Sequence, residues 1–151
     1  MYLDTAIIVK LLVREPDSDW FNRKLVGHPL DTAELAQVEV RSALLAKERA
    51  GRITERERIA ASEKFIAMIE DELLRLFPLD PAVLERAGHV QLACHPGIAL
   101  RSLDALHVAT CELHHCQALS TTRLRMRAAC NHLGIPLLPA RLEDVTAVLP
   151  D

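Results

Sequence analysis

The sequence predicts an α/β domain of three layers, with a mostly parallel central sheet covered by helices on both faces. Three observations carry this. Short apolar runs of strand type alternate with longer runs of helical periodicity along the whole chain. Strands separated by helices favour parallel pairing, and a parallel sheet needs cover on both faces. No internal repeat or low-complexity linker divides the 151 residues, so residues 1–151 are read as one domain, large enough to bury a real core.

Tyr2 and Leu3 suit a short buried strand, and the apolar run from Ala6 to Val13 continues as a helix. Asp4 and Thr5 lie between them as candidate N-caps. This places a carboxylate at the carboxyl edge of the sheet, where open α/β folds bind ligands. Glu15-Pro16-Asp17 breaks the helix, and Pro16 can open a second one through Trp20, Phe21 and Leu25, ended by Gly27-His28-Pro29. Leu30 is expected as a brief strand. Asp31 or Thr32 then caps a long helix through Leu35, Val38, Leu44 and Leu45 to Gly51, with Asp31 and Glu34 forming a variant capping box. Thr54 and Glu57 form a regular capping box for the next helix, which carries Ile59, Phe65, Ile66 and Ile69.

Leu73 to Leu79 reads as a buried strand in which Arg75 is tolerable near an edge. Asp80-Pro81 supplies an N-cap and a proline at the first helical position, opening a helix with Val83, Leu84, Ala87 and Leu92 that stops before His95-Pro96-Gly97. Arg101 or Ser102 opens another, with Leu103, Leu106, Thr110 and Leu113 at helical spacing. Ala118 to Ser120 is strand-like, Arg123 to Leu133 is helical, and Gly134 closes it. Ile135 to Leu138 is a last strand, which Pro136 directs to a sheet edge.

Composition narrows the function. The chain is 50% apolar and 26% charged, with a net charge of −3, so a polyanion would have to be held by a local basic patch. No apolar run reaches the length of a membrane span, because Lys10 and Arg14 interrupt the best candidate, and no secretory signal is read. Cys94, Cys111, Cys116 and Cys130 lack CxxC pairing and, with the nearby histidines, match no zinc-ligand spacing; they are read as reduced thiols in a cytoplasmic protein.

The carboxylates are more informative. Asp4, Glu39 and Asp104 each fall near a strand-to-helix junction, embedded in apolar sequence: Val38-Glu39-Val40 and Leu103-Asp104-Ala105-Leu106 for the latter two. A carboxylate in such surroundings is costly unless paired, solvated or bound to a cation. Three at one edge would repel one another, and a hard divalent ion relieves that repulsion.

Four stretches then point to one family: Tyr2-Leu3-Asp4-Thr5-Ala6, Val38 to Leu44, Leu103 to Ala109, and Leu119-Ser120-Thr121-Thr122 with Ala128-Ala129 and Gly134-Ile135-Pro136. In that order and spacing, the chain resembles the PIN-domain ribonucleases, and among them the VapC-like toxins of toxin–antitoxin pairs. The resemblance implies an endoribonuclease dependent on Mg²⁺ or Mn²⁺, an antitoxin protein as partner, and a homodimer. Asp4, Glu39 and Asp104 match the family's first three acids, as metal ligands and catalytic groups. Thr121 matches the polar residue two positions before a fourth acid, where it would hold a metal-bound water or a phosphate oxygen. The fourth position here is Arg123, and residues 113–142 contain no acid at all. That departure keeps a second reading in view, a PIN-like module that binds RNA or a protein partner without cleaving.

An acidic centre that takes RNA needs a basic rim. Arg123, Arg125, Arg127 and Arg141 lie in or beside the acid-free segment, and Arg101 and Arg41 stand close in sequence to Asp104 and Glu39. His107, three residues after Asp104, is read as a core or helix-surface histidine. Few aromatics are available for base stacking, so contact with phosphates is expected to dominate RNA binding.

Overall fold

In the computed structural model, which describes residues 1–146, five short strands form one parallel sheet in the order β3-β2-β1-β4-β5. They are β1 (Tyr2–Leu3), β2 (Leu30–Ala33), β3 (Leu74–Phe77), β4 (Leu119–Ser120) and β5 (Leu137–Leu138). Leading off β1 is α1 (Thr5–Leu12), followed by α2 (Ser18–Leu25). Next come α3 (Ala36–Arg49) and α4 (Glu55–Glu70) between β2 and β3, and α5 (Pro81–Cys94) and α6 (Ser102–Leu113) between β3 and β4. Then α7 (Leu124–Leu133) joins β4 to β5, and α8 (Glu143–Thr146) follows β5.

Neighbouring side chains of a strand point to opposite faces, and the two residues of β1 divide the core accordingly. Leu3 packs with Ile7, Ile8, Phe21, Val40, Leu44 and Phe65 under α1 to α4. Tyr2 packs with Val83, Val90, Ala105, Val108, Leu119 and Met126 under α5 to α7. The result is the three-layer α/β/α arrangement. Successive strands run outward from β1 on one side, and β4 and β5 then continue on the other. The connection order therefore reverses beside β1, which opens a crevice at the carboxyl ends of β1 and β4.

Several local signals act as expected. Thr54 and Glu57 form a reciprocal capping box, the Asp80 carboxylate accepts from the Val83 N–H at 2.9 Å with Pro81 at the helix start, and Gly134 closes α7 at φ +73°. Both outer strands also behave as expected, since β3, carrying Arg75, and β5, after Pro136, are the two sheet edges.

Two helix starts differ from the sequence expectation. Asp31 and Thr32 do not cap a helix; they belong to β2, and α3 begins only at Ala36. These polar residues are tolerated in a central strand because each finds a distant partner. Arg75 on β3 donates from Nε to Asp31 Oδ1 at 2.8 Å, and the Thr32 hydroxyl donates to the Leu3 carbonyl at 2.8 Å. Glu39 consequently lies in the first turn of α3. Likewise Pro16 does not open α2, which starts at Ser18; the Ser18 hydroxyl accepts from the Glu15 N–H at 2.8 Å and shapes the turn before it. Of the apolar residues at the end of α1 and on α4, Leu11 is buried and Leu12, Val13 and Ile69 pack against the core, while Ile66 is exposed.

Candidate active site

The crevice beside β1 collects side chains from three strand–helix junctions and from the α5–α6 connection, so Asp104, expected near a strand-to-helix junction, instead follows a helix. Asp4 follows β1 and caps α1, accepting from the Ile7 N–H at 2.9 Å. Glu39 stands in the first turn of α3, Asp104 in the first turn of α6, and Arg123 at the N-cap of α7. Asp4 and Asp104 are buried and Glu39 is half-buried.

Asp4 and Asp104 are bridged by one guanidinium. Arg123 donates from Nη1 to Asp104 Oδ1 at 3.0 Å, and its Nε lies 3.7 Å from Asp4 Oδ2. Thr121 supports this arrangement from both sides: its hydroxyl donates to Asp4 Oδ2 at 2.6 Å and accepts from the Arg123 N–H at 3.0 Å. Thr121 thus gives its one proton to Asp4, whereas the sequence reading assigned it to a water or a phosphate oxygen. Burial pushes the Asp4 carboxyl above its ordinary range, and Thr121, the Ile7 N–H, His107 and Arg123 only partly offset it.

Glu39 is held by a second set of contacts. It accepts from the Thr5 hydroxyl, and its Oε2 lies 2.7 Å from His107 Nε2. On the other side of the ring, Nδ1 is 2.8 Å from Tyr2 Oη, which itself accepts from the Ala33 N–H at 3.1 Å. The tautomer that satisfies all these groups takes the Tyr2 proton at Nδ1 and turns the imidazole N–H at Nε2 towards Glu39. Burial raises the Glu39 carboxyl, but the hydrogen bond from His107, the Thr5 hydroxyl and the charge of Arg123 outweigh it and leave it below the ordinary range. His107 is buried, as expected of a core histidine, yet it also positions an acid of the site. The sequence offered only its spacing from Asp104; Glu39 is 68 residues away.

Beside these groups lies a cleft of about 450 Å³, lined among others by Thr5, Lys10, Glu15, Glu39, Ser42, Lys47 and Arg123. Lys10 and Lys47 were not singled out from sequence, where Lys10 served only to interrupt an apolar run. In the fold Lys10 pairs with Glu15 at 2.7 Å and Asp17 at 2.8 Å, and Lys47 also pairs with Glu15.

The expected basic rim is smaller than its sequence suggested. Arg123 reaches the acids and borders the cleft. Arg41, two residues after Glu39, falls on another face of α3 than the cleft-lining Glu39, Ser42, Ala43 and Lys47. Arg101 and Arg125 are exposed at the starts of α6 and α7, outside the cleft lining. Arg127 is not a rim residue: it is buried and donates to the carbonyls of Thr121, Pro139 and Ala140 at 2.9–3.0 Å. Arg141 pairs with Asp144.

Among the described residues, no three His, Cys, Asp or Glu side chains stand together as a finished metal-ligand set. The donor chemistry nevertheless suits a hard cation. Two buried carboxylates face the same positive group, and a third stands nearby on α3. What occupies the place between Asp4 and Asp104 is a guanidinium.

A parallel sheet covered by helices on both faces, with buried acids at its switch point, is a ligand-binding α/β/α architecture. The sequence model described as the PIN domain matches residues 1–130, and the chain belongs to that family. It is 36% identical over 141 residues to Ribonuclease VapC46 of Mycobacterium tuberculosis (strain ATCC 25618 / H37Rv), covering 91% of this chain and 95% of that protein. Ribonucleases of this family are generally dependent on divalent metals. Among solved structures, it resembles Mycobacterium tuberculosis VapC20, described as a Sarcin-Ricin loop cleaving toxin, with a TM-score of 0.65, 18% identity, and 85% and 93% of the two chains covered. It also resembles a chain of a toxin–antitoxin complex from Klebsiella pneumoniae, with a TM-score of 0.60, 13% identity, and 87% and 92% covered. At these identities the two structures speak for the fold. No helix of the described residues is long and apolar enough to cross a membrane.

Proposed function

We propose that this chain, one catalytic unit over residues 1–151, is the toxin endoribonuclease of a toxin–antitoxin pair and hydrolyses RNA phosphodiesters at the Asp4–Glu39–Asp104 centre. The observation that carries this is the meeting of Asp4 and Asp104 at one guanidinium, with Glu39 beside them on α3, in a chain akin over nearly its whole length to a protein named as a ribonuclease. That kinship favours hydrolysis over binding without cleavage. A cytoplasmic location, an antitoxin partner and a homodimeric state belong to the same reading, and the Klebsiella complex supports the antitoxin partner.

Asp4 and Asp104, with Glu39 beside them, would hold Mg²⁺ or Mn²⁺, which supplies charge stabilisation at the phosphate and a more acidic water. The chain's own residues do the rest. Thr121 and the Ile7 N–H fix both oxygens of Asp4. His107, locked by Tyr2, holds Glu39 ionised and oriented to accept a proton from the attacking water. Arg123 offers N–H donors to a phosphate oxygen at the edge of the cleft.

The test is incubation of the purified protein with RNA, with and without Mn²⁺. Cleavage that requires the ion and stops with EDTA is expected. RNA retained intact but bound in both conditions would sink the enzyme reading.

A further inference from the structure

We propose that Arg123 is a displaceable internal cation, holding the place of a divalent ion between Asp4 and Asp104 until a substrate phosphate draws it away. Metal binding and phosphate binding are then coupled through one side chain. The inference rests on the reading of this centre as a metal-assisted nuclease site, and it gives a role to the one position where the chain departs from its family's acidic pattern.

Four observations support it. The guanidinium contacts both acids, 3.0 Å from Asp104 and 3.7 Å from Asp4, so a divalent ion held by these residues would compete directly with its charge. The hold is lopsided, because only the Asp104 contact lies within hydrogen-bond distance. The Arg123 side chain is 42% exposed, against 7% for Asp104 and 0% for Asp4, so the arginine leaves far more readily than either acid. Finally, Arg123 borders the cleft, where a phosphodiester would offer a second anion in the bidentate geometry that guanidinium prefers.

The consequence follows from linkage: if phosphate removes a competitor of the metal, phosphate must tighten metal binding, and metal must tighten phosphate binding by the same factor. Without RNA, Arg123 competes with a divalent ion for Asp4 and Asp104 and lowers its affinity. With RNA the site is freed as the substrate arrives.

The experiment is calorimetric titration of Mn²⁺ into the metal-free full chain, with and without a single-stranded deoxyoligonucleotide as phosphodiester probe, its own ion uptake subtracted. Wild type is expected to bind weakly alone and about tenfold more tightly with the oligonucleotide. Arg123→Ala should bind about tenfold more tightly than wild type without the oligonucleotide and gain nothing from it. The Arg123 side chain makes no cap hydrogen bond to α7, so the variant should fold, which circular dichroism checks. Equal affinities in wild type and Arg123→Ala would overturn the proposal. So would a wild-type affinity indifferent to the oligonucleotide, or undiminished binding in Asp104→Asn, which would place the ion elsewhere. Failure of the ribonuclease reading is separate: it would appear as absent RNA cleavage in a protein whose Mn²⁺ binding follows this pattern.

Discussion

Two charge clusters stand at opposite ends of α1 and α3 along the same cleft, and their balance differs. At the C-terminal ends, Lys10 and Lys47 meet Glu15 and Asp17, two cations for two anions. At the N-terminal ends, Asp4, Asp104 and Glu39 meet one arginine and an imidazole. The first cluster is saturated, and each charge has an opposite partner within the protein. The second is short of positive charge, a costly arrangement for buried carboxylates, which leaves it open to a cation from outside. Similar residues thus make a clamp at one end and a receptive site at the other, and the difference lies in stoichiometry.

The comparison is broken most drastically by removing an acid from the deficient end. Asp4→Asn, Glu39→Gln and Asp104→Asn should each lower RNA cleavage by about a thousandfold, within the range of electrostatic contributions to catalysis, while circular dichroism stays unchanged. Full activity in any two of them would mean that the receptive end is not the reaction centre.

At the saturated end the same kind of change should act on stability. Glu15→Gln leaves Lys10 and Lys47 short of a shared partner and should cost about 2 kcal/mol in urea unfolding, with Mn²⁺ affinity unaltered. A loss of metal binding in this variant would show that the two clusters are not independent.

The two ends should also answer acid with opposite signs. Glu15 is raised by burial but pulled below its ordinary value by Lys10 and Lys47. Its contribution is present above its unfolded value of 4.5 and is lost as pH falls through the folded one. The Asp4 value is raised, so its contribution is complete below the unfolded value of 3.8 and is lost as pH rises through the folded one. In EDTA, Glu15→Gln should therefore lose less stability than wild type on acidification, and Asp4→Asn should be the more stable protein near neutrality. Urea midpoints across pH 3–7 measure both, and parallel curves for all three proteins would remove the contrast.

The smallest effect is expected away from both clusters. Thr54→Ala breaks an exposed capping box and should cost about 1 kcal/mol, leaving cleavage and Mn²⁺ affinity untouched.

What was legible in the sequence was what neighbouring residues decide. The caps at Asp4, Thr54 and Asp80, the strand–helix alternation and the placement of three acids near helix starts follow from local chemistry or from the family resemblance. Long-range pairing was not legible. Asp31 looks like a helix cap until Arg75, 44 residues away, is seen beside it in the sheet. Arg123 was identified by its position, but whether it turned to solvent or to the acids depended on Asp104 across the switch point. Arg127 looked like its neighbours in a basic run, yet helical spacing carries it inward. His107 read as core because nothing near it in sequence revealed Glu39.

Arg127 also sets the tempo of the site. By binding the carbonyls of Thr121, Pro139 and Ala140, it ties the segment that carries Arg123 to the chain after β5. With the backbone fastened there, the guanidinium leaves the acids by side-chain rotation alone. Exposed side chains change rotamer in picoseconds to nanoseconds, whereas loops take nanoseconds to microseconds and typical turnovers last about a millisecond to a second. The exchange of arginine for a metal ion therefore waits on the arrival of its partners and adds no slow step of its own.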